Sequence, residues 1–236
     1  MTDPVFITGV GKRIGLALAK DFLRREIPVI GTYRSHYDSV DQLREQGAVL
    51  YACDFSAPEQ VLELLDTLIN GHPKLQTIIH NASDWLPDTC DYTPQQVIER
   101  MMSVHVKVPY QINLALAQHL RASNAAQKNI IHISDFVAQK GSQKHIAYAA
   151  SKAALDNMTL SFAQKLAPEI RVNSISPSLI MFNENDDDVY RKKALDKSLL
   201  GIEAGQQQML HAVRYLLESP YVTGSILPLN GGRHLK

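Results

Sequence analysis

The chain has 236 residues with 24 basic and 24 acidic side chains, so its formal net charge is zero and neither nucleic acid nor an anionic membrane is an expected partner. A composition of 45% apolar and 20% charged residues is typical of a globular protein, and a single domain over residues 1–236 is predicted. Without an apolar run of about 18 residues or a secretory signal pattern, a cytoplasmic protein with a small-molecule partner is expected.

Short apolar runs alternate with helical spacing along the chain. Residues 5–8 predict a first strand, and the spacing of Ile14, Leu18 and Phe22 predicts a helix over 13–25. Further strands are predicted at 28–33, 48–52, 77–80, 129–133 and 171–175, and further helices at 60–68, 97–120 and 148–166. This alternation predicts an α/β fold, a Rossmann-type doubly wound parallel sheet with helices on both faces.

The glycine-rich turn after the first strand predicts a dinucleotide site. It reads Thr-Gly-Val-Gly-Lys-Arg-Ile-Gly from Thr8 to Gly15. Gly9 allows a tight turn, Gly15 lets helix and strand pack closely, and the helix N-terminus offers free N–H groups to a pyrophosphate. The predicted cofactor residues in this turn are Gly9, Lys12, Arg13, Ile14 and Gly15.

Basic residues predict which dinucleotide binds. Lys12 and Arg13 add positive charge beside the phosphates, and Arg13 stands where a middle glycine is expected. An NAD site normally has Asp or Glu at the end of the second strand, but this strand ends Thr-Tyr-Arg-Ser-His. Because Arg34 and Ser35 can bind a 2′-phosphate, NADPH is the predicted cofactor.

Other polar residues follow later strands, at the edge where α/β sheets bind ligands. Asp54 and Phe55 are expected at the adenine end of the cofactor, and Asn81, Ala82 and Ser83 at the switch between the two halves of the sheet. The polar stretch 182–191 is interpreted as a solvated loop or a lid.

Tyr148 and Lys152 lie four residues apart in a predicted helix, so their side chains share one face. The Lys152 ammonium is expected to lower the pKa of Tyr148 toward the working range, which would let the phenol pass a proton. A surface pair without chemistry is the alternative, and the dinucleotide turn favours the proton-transfer interpretation.

Cysteine and histidine spacing predicts no metal. Cys53 and Cys90 match neither a metal site nor a redox pair and are expected to be free, buried thiols. The nine histidines show no metal-ligand spacing either.

In order and spacing these motifs resemble the short-chain dehydrogenase/reductase family over nearly the whole chain. The matching segments are Thr8-Gly9 to Gly15, Asn81-Ala82, Tyr148 to Lys152, Arg171-Val172-Asn173 before Pro177, and Val222-Thr223-Gly224 before Asn230-Gly231-Gly232. The resemblance implies that Tyr148 transfers the proton, that Lys152 binds the nicotinamide ribose, and that Pro177 lines the cofactor site. It also implies a homotetramer, in which subunits pair through helices 97–120 and 148–166.

Three positions depart from the family pattern. Asp135 replaces the serine that orients the substrate, His105 replaces a helix asparagine that supports a water relay, and Arg13 replaces the middle glycine. Asp135 and Arg13 resemble the pteridine reductase branch, in which an aromatic residue, here Trp85, holds a pterin against the nicotinamide. This resemblance implies catalysis by Tyr148, Lys152 and Asp135, and substrate contacts from Trp85, Ser83, Arg13, Asp135 and Tyr148.

The implied reaction is NADPH-dependent reduction of a 7,8-dihydropterin, with dihydrofolate as a further substrate. A hydride reaches C6 while N5 receives a proton. The residue chemistry agrees, because a carboxyl group can accept from or, when protonated, donate to the nitrogens of a pterin.

Several alternatives stay open at this point. A carbonyl reductase for a sugar or steroid would not explain Asp135 together with Trp85, and a non-catalytic NADPH-binding regulator would not explain Tyr148 with Lys152. Simple packing of the Trp85 indole and a structural role for His105 are the alternatives at those two positions.

Overall fold

The computed structural model describes residues 2–236, and within them the strands form one seven-stranded parallel sheet. The sheet order is β3-β2-β1-β4-β5-β6-β7. The chain builds outward from β1 to β3, then crosses to β4 on the other side of β1 and continues outward, so a topological switch lies between β1 and β4. The predicted doubly wound α/β fold is confirmed. The strands are β1 (Val5–Ile7), β2 (Val29–Tyr33), β3 (Val49–Ala52), β4 (Thr77–His80), β5 (Asn129–Ile133), β6 (Arg171–Pro177) and β7 (Ile226–Leu229).

Helices cover both faces of the sheet. They are α1 (Arg13–Arg24), α2 (Asp38–Glu45), α3 (Pro58–Gly71), α4 (Pro94–Met102), α5 (Val108–Arg121), α6 (Val137–Lys140), α7 (Ile146–Leu166), α8 (Asp188–Leu195) and α9 (Gln206–Glu218). Alternate strand residues point to opposite faces: Phe6 packs with α3, α5 and α7, whereas Val5 and Ile7 pack with α1, α2 and α9. Two apolar cores therefore pack against the sheet, one on each face.

The helix predicted over 97–120 is three segments in the structure. Helix α4 begins earlier, at Pro94, because Thr93 and Gln96 form a capping box. A π-helical turn, Ser103–Lys107, then separates α4 from α5. Such turns are rare and frequently occur at functional sites.

Five of these elements were absent from the predicted pattern, namely α2, α6, α8, α9 and β7. Helix α8 occupies part of the polar stretch 182–191, which was interpreted as irregular. Its start is set by Asp187, whose side chain accepts a hydrogen bond of 2.7 Å from the Tyr190 N–H. Only Ala194 of this helix is buried, so its sequence carries little apolar periodicity.

Three further observations concern membrane-spanning helices, metal ligands and the cysteines. Over residues 2–236, no helix combines the length and apolar character that crossing a bilayer requires. Within the same range, no three His, Cys, Asp or Glu side chains are grouped to hold a metal ion. Both cysteines are free, but only Cys53 is buried, whereas Cys90 is partly exposed, contrary to the expectation for that residue.

Candidate active site

A cavity of about 550 Å³ opens at the carboxyl ends of the strands. Every residue predicted to bind cofactor or substrate, or to act in catalysis, lines this cavity. The structure thus brings together segments that are far apart in sequence, from the glycine-rich turn to Pro177 at the end of β6. We call this space the cofactor cavity.

The glycine-rich turn has the backbone that its sequence suggests. Gly9 adopts a φ of +74°, and a side chain at Gly15 would clash with the Gly9 carbonyl and the Asn81 amide. Arg13, at the position of the expected middle glycine, also has a positive φ, +53°. Glycine suits a position with this left-handed conformation. An arginine there adopts a backbone conformation that is strained for residues with a side chain.

The guanidinium of Arg13 bridges to the loop that follows β6. Its Nη1 donates to Asn183 Oδ1 at 2.5 Å, and its Nη2 donates to the Met181 carbonyl at 2.9 Å. Arg13 therefore ties the glycine-rich turn to this loop across the cavity. A direct contact with phosphate or substrate would have to share or replace these hydrogen bonds.

At the other end of the cavity, basic and phenolic groups surround the position expected for the 2′-phosphate. Arg34 donates to Asp84 at 2.8 Å, and the Lys12 ammonium lies 5.4 Å from the ring centroid of Tyr37. A hydrogen bond with Lys12 lowers the pKa of the Tyr37 phenol. Neither Tyr37 nor Asp84 was identified from the sequence, because a single tyrosine or aspartate in a loop carries no motif.

Asp135 and Tyr148 are hydrogen-bonded to each other. The Tyr148 Oη donates to Asp135 Oδ2 at 2.9 Å, and the second carboxylate oxygen accepts from the Val137 N–H at 3.0 Å. Lys152, which is almost fully buried, donates to the Ile133 carbonyl at 2.9 Å. Its Nζ lies 5.6 Å from the Tyr148 ring centroid.

The electrostatics of this group differ from the sequence-based expectation. Burial, followed by the charge of Asp135, raises the pKa of Tyr148 well above its ordinary value, so the expected lowering by Lys152 is wrong for this structure. Burial also raises the pKa of Asp135 and lowers the pKa of Lys152 to about 8. Burial therefore disfavours both the Asp135 carboxylate and the Tyr148 phenolate.

His105 lies in the π-helical turn and is buried. Its Nε2 accepts from the Asp84 N–H at 3.3 Å and contacts Ser83 Oγ at 2.9 Å, so Nδ1 carries the hydrogen and donates to Ser151 Oγ at 2.8 Å. Burial lowers the pKa of His105 well below its ordinary value. A neutral imidazole with both nitrogens occupied links the Ser83 segment to α7.

Trp85 stands at the rim of the cavity with 61% of its surface exposed. One face of the indole is stacked on His145, with 4.0 Å between ring centroids and 23° between planes. The sequence did not suggest His145 as a partner, since the two residues lie on separate loops. The indole lines the same cavity as Asp135, Tyr148 and Lys152.

Comparisons with known proteins agree with this geometry. The chain matches the sequence model of the family described as Enoyl-(Acyl carrier protein) reductase over residues 9–234. A dihydromonapterin reductase from Klebsiella pneumoniae is 52% identical over 233 residues, which cover 99% of this chain and 97% of that protein. The chain belongs to the short-chain dehydrogenase/reductase family. A dihydromonapterin reductase from Citrobacter koseri is 49% identical over the same shares of the two chains.

Solved structures with the same fold superpose over nearly the full length of the chain. Alternative dihydrofolate reductase 1 (FolM) from Brucella canis, in complex with NADP, has a TM-score of 0.83 and 26% identity, and covers 99% of this chain and 94% of that one. An apo SCOR enzyme from Clostridium thermocellum, at 20% identity and a TM-score of 0.86, covers 100% of this chain and 94% of that one and supports the fold.

The departures from the short-chain dehydrogenase/reductase pattern lie around the same cavity or directly behind it. Asp135 and Arg13 line the cavity, and His105 is buried against Tyr148, with 5.4 Å between ring centroids. Asp135 and His105 both contact Tyr148, whereas Arg13 contacts the loop that follows β6.

Proposed function

We propose that this chain reduces 7,8-dihydromonapterin to 5,6,7,8-tetrahydromonapterin with NADPH, and that 7,8-dihydrofolate is a further substrate. The observation that carries the proposal is the hydrogen bond between Tyr148 and Asp135, placed in a cavity that begins at a dinucleotide-binding turn. The names of the Klebsiella and Citrobacter relatives and of the Brucella structures support this choice of substrates.

The residues of the cavity fit NADPH. The glycine-rich turn leaves the first N–H groups of α1 free for the pyrophosphate, with no acidic side chain in the first turn of that helix. We assign Lys12, Arg34 and Ser35 to the 2′-phosphate. Asp54 and Phe55 fit the adenine, and Asn81, Ala82 and Pro177 the ribose and nicotinamide end. When bound, NADPH supplies the hydride that adds to C6 of the pterin.

Tyr148 and Asp135 together handle the proton for N5. If Tyr148 gave its proton to N5 without receiving another, it would become a phenolate beside the Asp135 carboxylate. The raised pKa of Tyr148 disfavours that phenolate. When Asp135 is protonated, the hydrogen bond between these two residues is reversed: the carboxyl group donates its proton to Tyr148 Oη while the phenol donates its own to N5. The reaction then consumes one NADPH and one proton, leaves Asp135 as a carboxylate, and regenerates neutral Tyr148.

Lys152 has a positioning and binding role in this proposal. Its hydrogen bond to the Ile133 carbonyl uses one of three ammonium hydrogens, so the others remain for the hydroxyl groups of the nicotinamide ribose. Its charge also offsets the carboxylate that forms on Asp135. Lys152 thereby favours completion of the proton transfer.

Trp85 and Ser83 are assigned to the pterin, with Arg13 closing the cavity above it. The exposed face of the indole matches a flat heterocycle, and stacking of this kind stabilises aromatic pairs by about 0.5–1.5 kcal/mol beyond area burial. His105 is assigned a structural role, because its pKa is far too low for it to carry a proton at neutral pH.

A substrate panel tests the proposed function. Purified protein is assayed with NADPH and, separately, 7,8-dihydromonapterin, 7,8-dihydrobiopterin, 7,8-dihydrofolate and simple sugar or steroid ketones. The proposal requires the highest kcat/KM with a dihydropterin. Faster turnover of ketones would make the chain a carbonyl reductase, and NADPH binding without turnover of any substrate would make it a regulator.

A cytoplasmic homotetramer completes the proposal. Exposed apolar residues lie along the helices that are expected to pair, including Ile98 on α4, Tyr110 and Leu114 on α5, and Leu160 on α7. Burial of these residues between subunits would remove them from water. Sedimentation equilibrium of the purified chain tests the tetramer, and a monomer would contradict it.

A further inference from the structure

Asp84 lines the cofactor cavity and accepts hydrogen bonds from two guanidinium groups. Arg34 Nη1 and Arg100 Nε donate to the same oxygen, Oδ2, at 2.8 and 2.6 Å. Arg34 comes from the end of β2 and Arg100 from α4, so the carboxylate joins two distant segments of the chain. Sequence motifs do not predict the contact between Arg34 and Asp84, because it depends on how distant segments pack in the fold.

Asp84 is fixed at several atoms. Its other carboxylate oxygen accepts from the Trp85 N–H at 3.1 Å, and its own N–H donates to His105 Nε2 at 3.3 Å. The Asp84 side chain is 14% exposed, whereas that of Arg34 is 47% exposed. Burial alone would raise the pKa of Asp84, but the hydrogen bonds from Arg100 and Arg34 outweigh burial and lower it. A largely buried carboxylate with several hydrogen bonds therefore holds a partly exposed guanidinium.

Arg34 keeps most of its donors free. Over residues 2–236, its only hydrogen bond runs from Nη1 to Asp84, out of five N–H groups on the guanidinium. The remaining N–H groups can bind a second anion. Because Asp84 is shared with Arg100, its negative charge is already partly neutralised, so an anion can approach Arg34 without meeting a full opposing charge.

From this geometry we propose that Asp84, anchored by Arg100, is a positioning residue for cofactor specificity: it holds the Arg34 side chain over the cavity so that its free N–H groups bind the 2′-phosphate of NADPH. The inference rests on the proposed use of NADPH and deepens it. NADH carries a 2′-hydroxyl instead of a phosphate, so its binding should not depend on where Arg34 is held. Asp84 therefore contributes to NADPH affinity and not to NADH affinity.

The test compares dissociation constants for NADPH and NADH. Trp85 is the only tryptophan of the chain and is adjacent to Asp84, so its fluorescence reports cofactor binding. In Asp84→Asn, which keeps the size of the side chain, the Kd for NADPH should rise about fivefold while the Kd for NADH stays within about twofold. Asp84→Ser provides the same comparison if the amide variant does not fold.

Two further variants separate positioning from general effects. Asp91→Asn removes the same charge from the same loop at an exposed residue that makes no side-chain hydrogen bond within residues 2–236, and should change neither constant. In an Arg34→Met background, Asp84→Asn should produce no additional loss of NADPH affinity, because the side chain that it positions is gone.

The outcomes distinguish the inference from the proposed function. An NADPH Kd that is unchanged or lower in Asp84→Asn, or an equal rise for both cofactors, would overturn the role of Asp84 while the wild-type preference for NADPH stands. A wild-type chain that binds NADH more tightly than NADPH would overturn the proposed cofactor, and this inference with it.

Discussion

Tyr148 donates its phenolic hydrogen to Asp135, across 2.9 Å, at the wall of the cofactor cavity. Both groups lie in an environment that favours the protonated acid, chiefly through burial. A serine at position 135 would offer a neutral hydroxyl, whereas the aspartate adds a proton reservoir next to the phenol. This relationship suits addition of a proton to a ring nitrogen.

Tyr148→Phe should reduce kcat for dihydropterin by about two to three orders of magnitude, because the relay loses its central hydroxyl. The Kd for NADPH should stay within about twofold, since the phenol donates to Asp135 and not to the glycine-rich turn. Steady-state kinetics and a fluorescence titration measure the two quantities. Equal loss of turnover and cofactor binding would contradict the assigned role.

Replacement of Asp135 tests the proton source through pH. Its pKa is raised above the ordinary value, so the protonated fraction, and with it single-turnover reduction, should fall as pH increases through that raised pKa. Asp135→Asn keeps the size of the side chain but removes this titration and should flatten the profile while lowering the rate. Asp135→Ser should also impair pterin reduction. An unaltered pH profile in Asp135→Asn would show that the proton has another source.

Trp85 should contribute to pterin binding through its exposed ring face. Trp85→Leu is expected to raise the KM for dihydropterin by about tenfold, and Trp85→Phe should recover much of the loss because it restores a stacking surface on His145. The KM for NADPH serves as the internal control. If leucine and phenylalanine behave alike, the indole contributes only packing.

A buried chain of hydrogen bonds that joins β4, α5, β5 and α7 should make the fold sensitive to acid. His80 contacts Asn113 at 2.7 Å, Asn113 contacts His132 at 3.2 Å, and His132 contacts Thr159 at 2.7 Å. Burial lowers the pKa of His80 from 6.5 to about 4. The unfolded chain therefore binds protons more readily, so this contribution is complete above pH 6.5 and is lost as pH falls through about 4.

The expected loss from His80 is about 3 kcal/mol in the free energy of unfolding. Urea denaturation at several pH values measures it. His80→Gln retains an N–H donor toward Asn113 but does not titrate, so its stability should vary less with pH between 6.5 and 4. The two proteins are compared by the slope of the free energy of unfolding against pH, because the substitution also changes packing and hence the absolute stability. An identical slope in the variant would assign the pH dependence to other groups.

Much of the fold could be predicted because buried parallel strands are short, continuous apolar runs. The runs at 77–80 and 129–133 coincide with β4 and β5 residue for residue. The cofactor cavity was also predictable, since topology places residues that follow successive parallel strands at one edge of the sheet. Gly9, Asn81 and Pro177 illustrate this, as each follows or ends a different strand.

Other features depend on contacts that sequence spacing does not encode. The direction of the pKa shift at Tyr148 follows from burial and from Asp135, whereas helix spacing alone suggested Lys152 as the dominant neighbour. Arg34 and Asp84 are 50 positions apart, and no motif links them. Helix α8 was missed because an exposed helix with one buried alanine has almost no apolar face.

The central claim is that NADPH reduces the pterin C=N bond at C6 in this cavity. Incubation of the chain with 7,8-dihydromonapterin and NADPH deuterated at the transferable C4 position tests it most directly, with the product examined by mass spectrometry and NMR. The account predicts one deuterium at C6 of tetrahydromonapterin, formed at a strongly reduced rate by Tyr148→Phe. A pterin without deuterium, or with deuterium at another carbon, would contradict it.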